Sequence, residues 1–320
     1  MIGMALALAM TLTACGGNAA GSDDTADTTA VSEETVAFDA DSAYALVERQ
    51  CDFGPRVPGN DAHEACAAWL AATLRARCDT VVEQRGTVTT FDGVTLHITN
   101  LVGSFNPEAS ERVLLLAHWD CRPWADADPD ESQRREPVMG ANDAASGVGV
   151  LLELARVWQL ARPRQGIDIL LVDAEDWGEE GGDEDSWALG TQYWAAHPHV
   201  DGYTARYGVL LDMVGARGAK FRREQFSTYY AGDVQDRVWR AAAAEGLAST
   251  FLNEPGGAVT DDHIAVNRRG IPCIDIIDTR PTPTGFFDGW HTTHDTMDQI
   301  DRATLRAVGQ TLLRALSYEQ

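Results

Sequence analysis

Apolar residues of this chain fall into short continuous runs that alternate with longer amphipathic segments. Four runs have the composition of strands covered on both faces: 112–118, 166–172, 208–214 and 271–277. Around them, apolar positions recur at helical spacing in residues 62–77, 143–160, 234–247 and 303–316. This alternation predicts a single α/β domain with a mostly parallel, twisted central sheet and helices on both of its faces.

The N-terminal segment departs from this pattern. Residues 1–10 are almost wholly apolar but too few to span a bilayer, and Leu12-Thr13-Ala14-Cys15 follows them. This ending resembles a bacterial lipobox, which predicts that residues 1–15 form a lipoprotein signal peptide and that Cys15 is lipidated. The chain would then be exported and anchored to a bacterial membrane, as a periplasmic or outer-membrane lipoprotein. A short buried helix that ends at a structural cysteine is the alternative.

Residues 16–43 are predicted to form a flexible tether. The stretch 16–41 contains seven acidic residues, no basic residue and many Ala, Thr and Ser residues. A segment of low hydrophobicity with charges of one sign cannot bury enough surface to order itself. Residues 44–320 are therefore assigned to the folded domain.

The charge and the cysteines restrict the partners and the chemistry. The 320 residues include 25 basic and 49 acidic side chains, for a net charge of −24. Such a surface repels phosphate groups and anionic lipid, which argues against nucleic acid and leaves the lipid anchor as the only expected membrane contact. Six cysteines occur, but no C-x-x-C pair does, so a cysteine zinc site is not expected. Once Cys15 is lipidated, an odd number of thiols remains and at least one should be free.

Polar side chains stand at or near the carboxyl ends of three predicted strands, where an apolar core would not tolerate them. In an open α/β sheet these ends border the ligand crevice. Two further polar residues lie in segments that can reach the same crevice, one before a predicted helix and one in a Trp-His pair. The candidate residues are His118, Asp143, Glu175, Asp176, Asp212 and His291.

Each of these residues alone has a structural explanation. Asp143 would serve as a helix N-cap, Asp212 as a buried carboxylate satisfied by backbone donors, and His291 as a core histidine. Together, however, several carboxylates at one crevice would repel one another and lose hydration, and a divalent cation relieves both effects. Histidine with carboxylates and without cysteine suits a catalytic zinc site. A neighbouring carboxylate that does not bind the metal, such as Glu175, would transfer protons.

Five motifs then occur in the order seen in the zinc aminopeptidase superfamily: 117–120, 140–147, 173–176, 210–212 and 290–292. The run Asp261-Asp262-His263-Ile264 and the pair Trp290-His291 narrow this resemblance to the glutaminyl-peptide cyclotransferases of the animal type. The Phe-Gly-Pro-Arg-Val-Pro-Gly segment at 53–59 is similar to their bacterial members. The resemblance covers nearly the whole domain and implies the zinc aminopeptidase-like α/β fold.

The resemblance also implies roles for individual residues. It implies Asp143, Asp176 and His291 as ligands of one zinc ion per chain, and Glu175 as general acid and base. Asp212 and Asp261 would form a hydrogen-bonded carboxyl pair. The wall of the substrate pocket would include Trp290, Phe286 and Val259. The implied reaction converts the N-terminal Gln of peptides or proteins to pyroglutamate and releases ammonia, and the chain is expected to be a monomer.

Two other functions stay open at this point. A two-zinc aminopeptidase would use His118 and Asp212 for a second metal, although the position of Asp261 is commonly Ser in those enzymes. The other alternative is a binding protein that has kept the fold but has lost catalytic turnover, and the presence of Glu175 argues against it.

The chain departs from the animal cyclases in having Asp rather than Glu at position 176, and it lacks the cysteines of the mammalian disulfide.

The acidic run 179–185 lacks the ligand spacing of a calcium loop. We expect a solvated loop at the mouth of the crevice, where its charge would favour peptides with a basic residue after the Gln.

Overall fold

The computed structural model describes residues 37–317, so Cys15 and most of the predicted tether lie outside the described residues. The centre of the domain is a six-stranded sheet. Its strands are β1 (Thr80–Thr89), β2 (Thr95–Phe105), β3 (Arg112–His118), β4 (Gly166–Val172), β5 (Tyr207–Asp212) and β8 (Cys273–Ile277). They lie in the order β1-β2-β4-β3-β5-β8. A separate two-stranded sheet pairs β6 (Phe221–Arg223) with β7 (Phe251–Pro255).

Helices cover both faces of the large sheet. They are α1 (Ala40–Cys51), α2 (Asp61–Arg75), α3 (Ala145–Leu160), α4 (Leu189–Ala196), α5 (Gln225–Ala244), α6 (Asp262–Arg268) and α7 (Arg302–Ser317). Alternate side chains of β3 are buried in two different hydrophobic cores, because successive side chains of a strand point to opposite faces of the sheet. Leu115 belongs to a core that also includes buried residues of α1, α3, α5 and α7, whereas Leu114 and Leu116 belong to the core that includes Trp194 of α4 and Val266 of α6. The predicted fold class is confirmed.

Strands β4, β3, β5 and β8 are parallel, and they therefore end at the same edge of the sheet. His118 pairs in register with Val172, and Asp212 pairs with Ile277. Strands β1 and β2 add an antiparallel extension at the other side of β4. Neither strand was predicted. Strand β1 alternates between exposed and half-buried residues and has no continuous apolar run.

Several elements begin or end at residues other than those predicted. Helix α1 begins at Ala40, within the predicted tether, because the Asp39 side chain accepts hydrogen bonds from the N–H groups of Asp41 and Ser42. Helix α5 begins well before residue 234 and contains a kink at Ala231. Strand β5 ends at Asp212 rather than at residue 214.

Residues 37–317 also show the state of the cysteines and the character of the helices. The five cysteines in this range are all free thiols. Within the same range, no helix combines the length and the apolar character that crossing a membrane requires.

Candidate active site

The site lies where the parallel strands end. His118 is the last residue of β3, Asp212 is the last residue of β5, and Glu175 and Asp176 follow β4. Asp143 precedes α3. It does not cap this helix, since the cap position is Ala144 and makes no side-chain hydrogen bond. The structural explanation of Asp143 as an N-cap is therefore wrong, and its carboxylate is available to the crevice.

Asp143, Asp176 and His291 converge on one point. One ligand atom from each lies within 4.8 Å of the others, and all three residues are buried. The Nε2 atom of His291 is 3.2 Å from Asp176 Oδ1 and 3.8 Å from Asp143 Oδ2. Asp143 and Asp176 are 33 positions apart in the chain, and His291 follows 115 positions later, so the fold brings them together.

The residues fit a zinc ion. Asp176 Oδ2 is buried and has no hydrogen-bond partner among the described residues. Burial raises the pKa of Asp176, and the neighbouring Asp143 raises it further. An unpaired carboxylate oxygen in this setting is costly unless a cation takes it as a ligand. Carboxylate oxygens and imidazole nitrogens are zinc donors, and a site with three protein ligands keeps a position open for chemistry.

A second group of potential ligands shares Asp143. Ligand atoms of His118, Asp143 and Asp212 also lie within 4.8 Å of one another. His118 Nε2 is 2.9 Å from Asp143 Oδ1 and 3.3 Å from Asp212 Oδ1. Burial alone would lower the pKa of His118, but bonds to Asp120, Asp143 and Asp212 raise it well above its ordinary value. An imidazolium at His118 would therefore neutralise the carboxylates that a second metal would otherwise bind.

Glu175 lies beside the first group, in the wall of the same cavity. Only 8% of its surface is exposed. Burial raises its pKa well above the ordinary value, and the charges of Asp261 and Asp176 add to this effect. A buried carboxyl group whose pKa is raised in this way suits general acid–base chemistry.

Asp212 and Asp261 are both buried in the cavity wall. Burial and the charge of Asp143 raise the pKa of Asp212 to about 6. Burial and the charge of Asp212 raise the pKa of Asp261 well above its ordinary value. Asp261 Oδ1 accepts a hydrogen bond from the N–H of Asp262 at 2.5 Å. The structural explanation of Asp212 as satisfied by backbone donors is not supported, since its Oδ1 accepts from no backbone donor among the described residues and instead lies 3.3 Å from His118 Nε2. A proton shared by the two carboxyls stays a prediction.

The cavity above these residues has a volume of about 220 Å³. Val259, Phe286 and Trp290, which the resemblance implied as pocket residues, all line it. The Trp290 ring stacks on the imidazole of His291 at a centroid distance of 3.6 Å. Trp187 also lines the cavity and lies 6.0 Å from the His291 ring. The sequence analysis missed Trp187, which follows the acidic run and gives no motif signal of its own.

Carboxylates outside the cavity hold the main chain of the site residues. The N–H groups of Glu175 and Asp176 donate to the two oxygens of Asp120, at 3.1 and 3.2 Å. Those of Asn142 and Asp143 donate to the two oxygens of Asp295, at 2.8 and 3.0 Å. Asp120 belongs to the motif 117–120, and Asp295 follows the motif 290–292 by three residues. The sequence did not indicate that either residue supports the main chain of the site.

This chain is similar in sequence to known metal-dependent peptidases and cyclotransferases. Residues 100–316 match peptidase family M28. The glutaminyl-peptide cyclotransferase of Drosophila melanogaster is 28% identical over 274 residues, which cover 78% of this chain and 73% of that protein. The fold and the site together define a metal-dependent enzyme of the zinc aminopeptidase type.

Solved structures are more similar. Bacteroides thetaiotaomicron glutaminyl cyclase, bound to N-acetylhistamine, has 48% identity and a TM-score of 0.87, covering 89% of this chain and 100% of that chain. Tannerella forsythia glutaminyl cyclase has 50% identity with the same coverage and TM-score. A Zn-dependent exopeptidase from Parabacteroides distasonis has 50% identity and a TM-score of 0.87, covering 88% of this chain and 99% of that chain. This chain thus belongs to peptidase family M28 and, within it, to the glutaminyl-peptide cyclotransferases.

Proposed function

We propose that this chain cyclises the N-terminal Gln of peptides and proteins to pyroglutamate with release of ammonia. The observation that carries the proposal is the convergence of Asp143, Asp176 and His291 next to the buried acid Glu175. Their common cavity is small and partly aromatic, which suits a single residue folded back on itself more than an extended peptide.

The three converging residues would hold one zinc ion per chain. When bound, this ion would supply Lewis-acid polarisation of the γ-carbonyl group of the substrate Gln. The proton transfers are carried out by a side chain of the protein. Glu175 accepts a proton from the substrate α-amine as its nitrogen attacks the γ-carbon, and it returns this proton to the departing nitrogen. One carbon–nitrogen bond forms and one breaks, so the products are the lactam and ammonia.

The cavity wall contributes orientation. Because the nucleophile is tethered to the electrophile, much of the barrier is the cost of bending the substrate. Trp290, Phe286 and Val259 would hold the bent side chain against the site. The same apolar surfaces would limit access of water, which competes with the amine for the γ-carbon.

An aminopeptidase with two metals is the second candidate. The observation that favours it is the group of His118, Asp143 and Asp212, whose ligand atoms are as close as those of the first group. The position of Asp261 argues against this second candidate. Asp261 faces the same cavity, and its carboxylate makes the ionised form of Asp212, which a second metal would need, less favourable. We therefore propose one zinc ion, with His118 as a charged hydrogen-bond partner of Asp143 and Asp212.

The test compares two substrates and counts the metal. We expect ammonia and a pyroglutamyl product from a Gln-peptide, no release of Leu from a Leu-aminoacyl fluorophore, and one zinc ion per chain. The Glu175→Gln variant should bind zinc normally but lose about 10²- to 10⁴-fold in kcat. Leu release with two tightly bound zinc ions would establish the aminopeptidase instead. Near wild-type turnover of Glu175→Gln would refute the role of Glu175.

We also propose that the chain is an exported, lipid-anchored monomer whose substrates are peptide or protein N-termini that bear Gln. Support comes from the lipobox-like residues that end at Cys15. Incorporation of labelled fatty acid into the wild type but not into Cys15→Ala would support the anchor. Sedimentation of the soluble domain would test the monomer.

A further inference from the structure

Arg122 is a buried guanidinium that contacts the loop carrying Asp176. Its side chain is 1% exposed. Nη1 donates to the main-chain oxygens of Asp176 and Gly178, at 3.2 and 3.3 Å, and lies 3.4 Å from Asp176 Oδ1. Arg122 thus fixes both the backbone and one carboxylate oxygen of a proposed zinc ligand. The other oxygen of Asp176 stays free to bind the metal.

The remaining donors of Arg122 go to Asp126. Nε and Nη2 donate to the two oxygens of Asp126 at 2.7 and 2.5 Å, which is the bidentate geometry of a strong pair. Asp126 Oδ1 also lies 3.5 Å from Nδ1 of His291. Burial would raise the pKa of Asp126, but Arg122 and His291 lower it well below its ordinary value. An ionised Asp126 therefore faces the histidine.

The His291 ring lies between Asp126 and the other two proposed ligands, and its Nδ1 is at ion-pair distance from Asp126 without forming a hydrogen bond among the described residues. Nδ1 faces Asp126, while Nε2 faces Asp176 and Asp143. A metal-binding histidine whose other nitrogen faces a carboxylate is fixed in tautomer and orientation. Arg122 and Asp126 thus connect two of the three proposed ligands through one half-buried ion pair.

The same guanidinium supports the cavity wall. Its Cζ atom lies 4.9 Å from the centre of the Trp187 ring. Trp187 packs so closely on Gly178 that a Cβ atom there would lie 1.9 Å from the indole. Because Arg122 also holds the Gly178 carbonyl, it contacts both the ring and the backbone beneath it.

We propose that Arg122 and Asp126 are positioning residues. Together they hold Asp176 and His291 in the metal-binding orientation, and Arg122 in addition holds Trp187 in the cavity wall. This inference takes the identity of the metal from the proposed function. Its first readout is zinc affinity without substrate, so it can be tested even if the cyclase activity fails.

The experiment measures zinc affinity of the metal-free protein by competition with a chromophoric chelator. We expect Asp126→Asn and Arg122→Met to weaken zinc binding by about 10- to 100-fold, and Arg122→Lys to give an intermediate loss because it cannot form the bidentate pair. Arg112→Met is the matched control. Arg112 forms a similar bidentate pair with Asp168, at 2.7 and 2.6 Å, but at the opposite end of β3.

Asp126→Asn keeps the inference testable if the Arg122 variants fold poorly, since the Asp126 side chain is partly exposed. At saturating zinc, Arg122→Lys should raise KM for a Gln-peptide through Trp187, whereas Asp126→Asn should leave KM near that of the wild type. Wild-type zinc affinity of Asp126→Asn would overturn the proposal. An equal loss of affinity in Arg112→Met would also overturn it, because the effect would then follow from general destabilisation.

Discussion

The carboxylate of Asp295 accepts a hydrogen bond from the main-chain N–H of Asp143 at 3.0 Å, across 152 positions of the chain. Its other oxygen accepts the N–H of Asn142. Asp295 is fully buried, so no solvent replaces it as an acceptor. The position of a proposed zinc ligand therefore depends on a carboxylate that lies outside the cavity.

Replacing Asp295 by Ala should weaken both the fold and zinc binding. Two buried N–H groups lose their acceptor, and each unsatisfied group costs about 1 to 3 kcal/mol. Urea unfolding of the metal-free protein and chelator competition measure the two effects. Asp298→Ala is the matched control, since Asp298 lies three positions further on, in the short 3-10 helix Met297–Gln299, and is exposed. Equal stability and zinc affinity of Asp295→Ala and the wild type would contradict this role.

Activity should fall as the pH is lowered through the pKa of Glu175. Burial, with Asp261 and Asp176, raises the pKa of Glu175, and a base must be ionised to accept a proton from the amine. As pH falls through this pKa, Glu175 becomes protonated and kcat/KM declines. We expect a midpoint above the ordinary glutamate pKa of about 4.3.

The zinc content must be measured over the same pH range, because loss of metal would also reduce the rate. The residual rate of Glu175→Gln should lack this acidic limb. An identical limb in the variant would assign the titration to another group.

The sequence predicted those strands whose local hydrophobic pattern matches their burial in the folded domain. Strands β3 and β4 match the predicted ranges because both faces of each strand are covered, which requires continuous apolar runs. Parallel strands end at one edge, so His118 and Asp212 could be placed at a common crevice from their positions alone. By contrast, β1 is largely polar and is held by its pairing with β2.

The parts of the site that the sequence did not predict lie in loops. Asp126 and Trp187 belong to segments without regular structure, whose paths are set by contacts with distant residues. Arg122 reaches Asp176 across 54 positions, and no local pattern reports such a contact. Side chains that support the ligands were therefore not predicted, although the ligands themselves belong to short motifs.

Asp262 should make the metal-free protein less stable as pH rises. It is fully buried, and neither carboxyl oxygen has a hydrogen-bond partner among the described residues. Burial raises its pKa to about 7, although His118 and Thr191 act in the opposite direction. Between the unfolded pKa of about 3.9 and this value, the folded chain holds a proton that the unfolded chain has lost. Stability therefore falls as pH rises through this window.

Asp262→Asn removes the titrating group at nearly constant size. The quantity to compare is the unfolding free energy of the variant minus that of the wild type. We expect this difference to be larger at pH 8 than at pH 5, by on the order of 2 kcal/mol. Urea unfolding of both metal-free proteins measures this difference. A constant difference at the two pH values would show that Asp262 does not titrate in the window.

Glu180 should favour substrates with a basic residue after the Gln. It is exposed, it belongs to the acidic run 179–185, and it lines the cavity. A partly solvated charge pair contributes about 0.2 to 1 kcal/mol, which corresponds to a preference of up to about fivefold. We expect kcat/KM for Gln-Arg peptides to exceed that for Gln-Glu peptides at low salt, and the ratio to decrease as salt screens the charge.

Glu180→Gln should reduce this ratio, whereas Glu184→Gln should change it less. Glu184 is exposed in the same loop but is not among the residues that line the cavity, so it controls for the overall charge of the loop. Equal effects of the two variants would show that the preference comes from the general acidity of the surface. A ratio near one in the wild type at low salt would contradict any contribution of this loop to substrate choice.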